Sequence, residues 1–162
     1  MPILNKDRVV VDIITWDKSL SSDLKLSKQK LKASVIIMAG GKGTRLQPFT
    51  HILPKPLIPI KGKAIIEHII DKFNLYGVKD FHISINYKSS LIEAYFKELK
   101  PNYKINFVKE NTPLGTAGIL SKFTKKFKDP VFVSNSDIII ESDLVDIYNF
   151  HKKQKNEITV VA

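Results

Sequence analysis

A glycine-rich segment that carries two cations follows directly after the apolar run Val35–Met38. Its residues are Ala39, Gly40, Gly41, Lys42, Gly43, Thr44 and Arg45. Glycines adopt backbone conformations that are closed to other residues, so successive N–H groups can point at one anion. The lysine and the arginine can add charge-assisted hydrogen bonds to the same anion. The segment therefore predicts a phosphate-binding loop.

Two common phosphate-binding loops do not fit this spacing. A P-loop requires Gly-Lys followed at once by Ser or Thr, whereas Gly43 follows Lys42 here. A dinucleotide-binding fingerprint that begins at Gly41 requires a third glycine at the position of Leu46. The spacing excludes both loops.

A proline-rich stretch and a glycine turn come next in the chain. The stretch is Pro54-Lys55-Pro56-Leu57-Ile58-Pro59, and the turn is Lys61-Gly62-Lys63. Together with the glycine loop, they resemble the signature of the sugar-1-phosphate nucleotidyltransferases, which usually have Pro at the position of Ala64. The resemblance implies that residues 39–45 bind a nucleoside triphosphate. It also implies that Arg45 and Lys55 are catalytic, with Arg45 on the departing pyrophosphate and Lys55 on phosphate.

The segment Glu110–Gly118 lies between a predicted strand and a predicted helix. Pro113 and Gly115 are ordinary turn residues and Thr116 is an ordinary helix cap, so the segment by itself also reads as a plain turn. In the family that the glycine loop resembles, this segment binds the base, which implies nucleotide-binding roles for Glu110, Pro113, Gly115 and Thr116. A carboxylate accepts hydrogen bonds, and guanine offers two adjacent donors, N1–H and N2–H. Glu110 therefore favours guanosine, although some relatives with glutamate at this place use uridine nucleotides.

One carboxylate follows the apolar run Val131–Val133, at the end of Ser134-Asn135-Ser136-Asp137. Its polar neighbours also suit a turn or a helix cap. The family resemblance implies that Asp137 is a ligand of Mg²⁺, with Ser136 in place of the usual glycine. Mg²⁺ at phosphate sites takes one or two carboxylates together with substrate phosphate and water. Glu141 and Asp143 are predicted instead to lie at the start of the next helix.

Helix-like and strand-like segments alternate along the chain. The predicted strands are 35–38, 81–85, 105–108, 131–133 and 158–161. The predicted helices are 64–75, a helix that begins after a cap at Ser89 or Ser90 and is closed by Pro101, 116–127 and 142–153. This alternation indicates right-handed crossovers, a mainly parallel sheet and ligands at its carboxyl edge. The predicted fold class is α/β, three-layer and Rossmann-like, with helices on both faces of the sheet. The resemblance implies the GT-A-like form found in nucleotide-diphospho-sugar transferases.

The composition limits the kinds of partner. The 162 residues include 26 Lys and Arg against 16 Asp and Glu, a net charge of +10, and no cysteine. The basic residues are spread singly and nearly all are lysines, so we predict no nucleic-acid and no membrane partner. Lys42, Lys55 and Lys63 are the candidates for binding substrate charge. Without a signal-like or membrane-length apolar run and without disulfides, the protein is predicted to be cytoplasmic.

The two ends of the chain carry further predictions. Residues 1–17 resemble the closing part of a CBS repeat or form a short β-hairpin, and residues 18–33 are predicted to be a linker. Residues 34–162 are predicted to be the nucleotide-binding part of the transferase domain. Since the family continues past this point, the domain is expected to be incomplete, with a second metal ligand beyond residue 162. An unpaired last strand would allow self-association into a homo-oligomer.

The predicted function is transfer of a nucleoside monophosphate from a nucleoside triphosphate, GTP favoured, to a sugar 1-phosphate. The products are a nucleoside-diphosphate sugar and pyrophosphate, and Mg²⁺ is the implied cofactor. Two alternatives stay open at this point. One is a nucleotide-binding or regulatory fragment without turnover. The other is a GT-A-type glycosyltransferase, although those enzymes usually show Asp-x-Asp and lack the glycine loop.

Overall fold

The computed structural model describes residues 2–4, 10–13, 29–110, 115–123, 127 and 129–162. Near the N-terminus, β1 (Pro2–Leu4) and β2 (Val10–Ile13) pair antiparallel, with Pro2 opposite Ile13. A two-stranded pairing suits both the hairpin and the CBS-like interpretation of this segment. Both interpretations therefore stay predictions.

Residues 29–162, as far as they are described, hold six strands, and four of these form one parallel sheet. The strands are β3 (Ser34–Met38), β4 (Pro59–Ile60), β5 (Lys63–Ala64), β6 (Asp80–Ile85), β7 (Lys104–Lys109) and β8 (Val131–Asn135). The sheet has the order β7-β6-β3-β8, and β4 pairs with β5 separately. The chain adds β6 and β7 on one side of β3 and then crosses to add β8 on the other. A reversal of this kind opens a crevice at the carboxyl ends of the strands.

Short helices connect these strands. In the described residues they are α1 (Ile65–Leu75), α2 (Ser89–Leu99), α3 (Gly115–Gly118) and α4 (Leu144–Gln154), with 3₁₀ turns at Thr44–Leu46, Phe49–His51, Lys55–Leu57 and Ile119–Phe123. None of the helices in this part of the chain is long and apolar enough to cross a bilayer.

Helical segments pack on both faces of the sheet. Helices α1, α2 and α4 bury one face, to which β3 contributes Val35 and Ile37. On the other face Ile36 packs against Ile119 and Phe123. Because β3 is buried on both sides, its sequence is a continuous apolar run rather than an alternating one. The predicted α/β class with a mainly parallel sheet between helical layers is confirmed.

Apolar periodicity located one helix well, and a capping residue located another. The buried residues of α1 recur at the helical period and are Ile66, Ile69, Ile70 and Phe73. The helix ends at Leu75, before Gly77 turns the chain with a φ of +86°. The start of α4 is fixed by Asp143, whose side chain accepts a hydrogen bond from Val145 N at 2.7 Å.

The predicted strand over residues 158–161 is wrong. Residues in this segment have no strand pairing with any described strand, and Ile158 and Val160 are exposed. Thr159 Oγ1 instead lies 3.0 Å from His151 Nδ1 and accepts a hydrogen bond from Asn156 Nδ2. An apolar run with strand propensity becomes a strand only where a partner strand accepts its backbone hydrogen bonds.

Two helix boundaries also differ from the predictions. Helix α2 begins at Ser89 itself, after Lys88 in a left-handed conformation (φ +50°), so neither Ser89 nor Ser90 is its cap. The predicted helix over 116–127 is an α-helix only to Gly118 and then a 3₁₀ turn to Phe123, while residues 124–126 lie outside the described residues. Glycine weakens a helix interior, which accounts for the change at Gly118.

Part of the predicted linker 18–33 packs on the sheet domain. Leu31 is buried, and its N–H donates a hydrogen bond to the Tyr76 carbonyl at 2.9 Å. The side chain of Lys30 lies over Gly77. Residues 18–28 lie outside the described residues.

Candidate nucleotide-binding site

The carboxyl ends of the four parallel strands lie at one edge of the sheet, and polar segments follow all four. Strand β3 leads into the glycine loop, and β6 leads into Asn86-Tyr87-Lys88. Strand β7 leads into Glu110, and β8 leads into Ser136-Asp137. Since the strand order reverses at β3, a ligand can enter the crevice between these segments.

Glu110 lies against the first glycine of the loop. A Cβ atom placed on Gly40 would stand 2.8 Å from Glu110 Oε1 and 3.3 Å from Asn86 Cβ. The N–H of Glu110 donates to the Ile85 carbonyl at 3.0 Å, and Asn86 Nδ2 donates to the Glu110 carbonyl at 2.5 Å. The residue predicted to read the base therefore adjoins the loop predicted to bind phosphate.

Gly43 brings the loop into contact with the proline-rich stretch. Its φ is +67°, and a Cβ atom on it would stand 2.9 Å from both Lys55 Cβ and Thr50 Cγ2. The Gly43 carbonyl accepts hydrogen bonds from Thr50 Oγ1 at 3.1 Å and from Leu46 N at 2.9 Å. Both the backbone conformation and the lack of space require glycine at this position.

Lys55 and Asp137 form an ion pair, with 2.5 Å between Nζ and Oδ2. Lys55 begins a 3₁₀ turn anchored by the buried residues Pro56 and Leu57, and Asp137 lies in the turn after β8. The two side chains are 28% and 33% exposed, so a ligand can reach both. The structure thus brings together the predicted catalytic lysine and the predicted metal ligand.

The rest of the glycine loop faces open space. Lys42, Thr44 and Arg45 are exposed, and a Cβ atom on Gly41 would meet no described atom within 4 Å. Arg45 lies in the 3₁₀ turn Thr44–Leu46 that closes the loop. Ala39, by contrast, is buried, and its N–H donates to the Ser84 carbonyl at 2.9 Å. The start of the loop is therefore fixed against the sheet, and the rest of the loop is accessible.

Three of the predicted base-binding residues are less well defined. Pro113 lies outside the described residues. Gly115 begins α3 with a φ of +73°, and the position of its missing Cβ is open. Thr116 is the second residue of α3, so it does not occupy the cap position.

Lys63, the third lysine considered for substrate charge, is bound elsewhere. Its Nζ donates to Asp71 Oδ2 on α1 at 2.8 Å. This hydrogen bond, together with the charge of Asp71, raises the pKa of Lys63. Lys63 is therefore paired with α1 in this structure.

Sequence reasoning missed three residues that contact the predicted site residues, namely Thr50, Asn86 and Tyr87. It also missed Lys88, which holds the neighbouring turn through the carbonyls of His51 and Ile52. The available signal was the position of residues 86–88, which follow a predicted strand directly and so had to lie at the same carboxyl edge as the loop. Thr50 gave no such signal, because its contact with Gly43 depends on how the loop folds back.

The fold and the site define an α/β protein with a glycine-rich loop at the carboxyl edge of a parallel sheet. A family model described as nucleotidyl transferase matches residues 34–162. The chain belongs to the nucleotidyl transferase family.

Named relatives and solved structures agree with this membership. The mannose-1-phosphate guanyltransferase of Yarrowia lipolytica is 39% identical over 132 residues, which cover 78% of this chain and 36% of that protein. The chain thus spans about a third of the length of the curated relatives it matches. HddC from Yersinia pseudotuberculosis, also solved with GMP-PN, is 33% identical with a TM-score of 0.60, covering 74% of this chain and 54% of that one. UDP-glucose pyrophosphorylase in complex with UDP-glucose shares the fold at 19% identity, with a TM-score of 0.62 over 77% of this chain and 55% of that one.

Proposed function

We propose that the protein transfers a nucleoside monophosphate, in the first place guanylate from GTP, to the phosphate of a sugar 1-phosphate. The observation that carries this proposal is the convergence of the glycine loop, Glu110 and the Lys55–Asp137 pair at one edge of the sheet. Family membership supports the reaction class. The guanyltransferase relatives make mannose 1-phosphate the first acceptor to test.

The reaction needs charge stabilisation rather than a side-chain nucleophile. An oxygen of the sugar 1-phosphate attacks the α-phosphorus of GTP, and the bond from that phosphorus to the pyrophosphate oxygen breaks. Both reactants are anions, so the site must hold them together and stabilise the charge that develops. We assign the N–H groups of residues 40–44 to the triphosphate, Arg45 to the departing pyrophosphate and Lys55 to phosphate.

Asp137 is the residue that we propose to hold Mg²⁺. Its carboxylate is one-third exposed and lies beside a lysine assigned to phosphate, which suits a cation that binds carboxylate, phosphate and water together. When bound, Mg²⁺ would neutralise phosphate charge. No cluster of three His, Asp or Glu side chains occurs in the described ranges. We propose substrate oxygens and water among its further ligands.

Glu110 is the residue that we propose to select guanine. Its carboxylate lies beside Gly40 at the start of the loop, which would place the base next to the phosphates. Two adjacent donors of guanine match two carboxylate oxygens, whereas uracil and thymine offer one donor. The guanyltransferase names of the relatives support guanine as the base.

Thermal unfolding with Mg²⁺ and GTP, UTP, CTP, ATP or dTTP tests nucleotide binding directly. A nucleotide at 100 times its dissociation constant should stabilise the chain by about 2.7 kcal/mol. We expect a shift in Tm with GTP that exceeds the shift with each other nucleotide. Equal shifts with all five would contradict base selection by Glu110, and no shift with any would contradict the proposed site.

Replacing Glu110 by Gln should remove the preference for GTP. The amide has one acceptor oxygen and presents its NH₂ donors where the carboxylate had a second acceptor, so we expect the dissociation constant for GTP to rise about tenfold or more. Glu93→Gln is the matched control, because Glu93 is a carboxylate of α2 that is paired with Lys109 of β7 and is not assigned to the base. Isothermal titration of both variants with GTP and UTP measures the difference.

A fragment that binds nucleotide without turnover is the remaining alternative. Release of pyrophosphate from GTP with mannose 1-phosphate separates the two functions. Release that depends on the acceptor supports the transferase. The binding function would be favoured if this chain, and also a longer chain of the same length as the relatives, bound GTP without releasing pyrophosphate.

A further inference from the structure

The segment after β6 connects parts of the candidate site that are otherwise separate. The N–H of Tyr87 donates to the Gly40 carbonyl at 3.4 Å. Asn86 Nδ2 donates to the Glu110 carbonyl at 2.5 Å. One short segment thus contacts both the phosphate loop and the residue assigned to the base.

The same segment holds the 3₁₀ turn Phe49–His51. Tyr87 Oη donates to the Thr50 carbonyl at 3.1 Å. Lys88 Nζ donates to the carbonyls of His51 at 2.5 Å and Ile52 at 2.9 Å. The apolar side chains of this region do not anchor it, since Phe49 is 70% exposed and Ile52 is 76% exposed. Polar contacts from residues 87 and 88 therefore fix the turn.

Thr50 connects this turn to the glycine loop. It is only 2% exposed, its Oγ1 donates to the Gly43 carbonyl at 3.1 Å, and its methyl group lies against Gly43. Gly43 in turn adjoins Lys55. The contacts form a continuous series from Tyr87 through Thr50 to the loop backbone and the lysine assigned to phosphate.

We infer that Tyr87 is a positioning residue for the phosphate-binding loop, acting through the carbonyl of Thr50. Its hydroxyl fixes Thr50, Thr50 fixes the Gly43 peptide, and the Gly43 peptide sets the direction of the neighbouring N–H groups. Lys88 supports the same turn through the carbonyls of His51 and Ile52. This inference rests on the proposed function, because it names what aligns the loop for the triphosphate.

The test compares the dissociation constants of GMP and GTP, measured with Mg²⁺ by isothermal titration. The measured quantity is the dissociation constant of GMP divided by that of GTP. This ratio reports the binding of the β- and γ-phosphates, so it reports the loop rather than the base. Tyr87→Phe should lower the ratio about three- to tenfold, the equivalent of one hydrogen bond. Thr50→Val keeps the shape of Thr50 but removes its hydroxyl, and should lower the ratio similarly.

The double variant Tyr87→Phe/Thr50→Val should lower the ratio no further than either substitution alone, because both act on the same contacts. Tyr148→Phe is the matched control. It also removes a hydroxyl that donates to a backbone carbonyl at 3.1 Å, but that carbonyl belongs to Lys32. We expect its GMP to GTP ratio to equal that of the unmodified chain, with a loss in Tm similar to that of Tyr87→Phe.

The outcomes separate the inference from the proposed function. If the unmodified chain does not bind GTP, the proposed function is wrong and the inference fails with it. If the chain binds GTP and Tyr87→Phe leaves the ratio unchanged, only the inference is wrong. If the ratio falls equally for Tyr148→Phe, the fall reflects a general loss of stability of the chain. That result would also overturn the inference. Lys88→Met repeats the test should Tyr87→Phe fail to fold.

Discussion

At the scale of single residues, two side chains with different proposed tasks bind each other. Lys55 is assigned to phosphate and Asp137 to a cation, yet their charged atoms lie 2.5 Å apart. Each neutralises the other at a site that is about two-thirds covered, where a lone charge would be unfavourable. Nucleotide and cation together would offer each side chain a partner of opposite charge.

Removing the lysine should therefore strengthen cation binding and weaken nucleotide binding. In Lys55→Met the carboxylate of Asp137 loses its competitor, so we expect tighter binding of Mn²⁺ as a probe, measured by electron paramagnetic resonance without nucleotide. GTP binding should weaken at least several-fold. Lys109→Met, which removes a lysine paired with Glu93 at 2.9 Å, is the control and should change neither. Unchanged Mn²⁺ binding in Lys55→Met would contradict a cation site at Asp137.

Gly43→Ala should weaken nucleotide binding for two reasons. The new Cβ atom would be too close to Thr50 and Lys55, and the backbone would be strained. The matched control is Gly62→Ala, because Gly62 also has a positive φ, +80°, but has open space where a Cβ would stand. Strain alone should destabilise both variants by about 1–2 kcal/mol. Gly43→Ala should be less stable than Gly62→Ala and should bind GTP more weakly, as chemical denaturation and titration would show. Equal values for the two variants would mean that the contact with Thr50 and Lys55 is unimportant.

At the scale of elements, one buried carboxylate joins the first two helices of the sheet domain. Glu67 is 8% exposed, and its Oε1 accepts hydrogen bonds from Ala64 N at 3.0 Å and from the Tyr95 hydroxyl. It thereby caps α1 and ties α2 to it. Burial, aided by the hydrogen bond to Glu67, raises the pKa of Tyr95 to about 12.

Tyr95→Phe should destabilise the domain by about 2 kcal/mol at pH 8, the usual value for a hydrogen bond to a charged group. The pKa of Tyr95 is about 12 in the folded chain, above the value of about 10 for an unfolded tyrosine. Its stabilisation is therefore complete below about pH 10 and is lost as the pH rises towards 12. Urea unfolding at pH 8 and pH 11 should show a smaller difference between variant and unmodified chain at pH 11. Tyr148→Phe controls for the general effect of losing a tyrosine hydroxyl.

The elements themselves were largely readable from the sequence. Apolar residues at the helical period predicted α1, and a continuous apolar run predicted β3. Both patterns depend on neighbours that are close in the chain. The strand expected over 158–161 failed because pairing depends on a partner that a local pattern cannot specify. The start of α2 was missed because Lys88 adopts a left-handed conformation that is uncommon for lysine.

At the scale of the whole molecule, a net charge of +10 should attract anionic nucleotides. Salt screens this attraction, with a Debye length of about 10 Å at 0.1 M. We expect the dissociation constant of GTP to rise several-fold between 50 and 300 mM salt, whereas that of the uncharged nucleoside guanosine should change little. Titration calorimetry at both salt concentrations checks this. An equal response of both ligands would show that the charge does not act through the phosphates.

The sequence by itself determined the glycine loop, the α/β class and the family resemblance. Glycine spacing and apolar periodicity are local patterns, and Gly40, Gly41 and Gly43 follow their strand directly. Only the tertiary structure decided that Glu110 adjoins Gly40, that Lys55 binds Asp137 and that Tyr87 supports the loop through Thr50. These partners are far apart in the chain, and they meet because the order of strands in the sheet brings their loops to one edge.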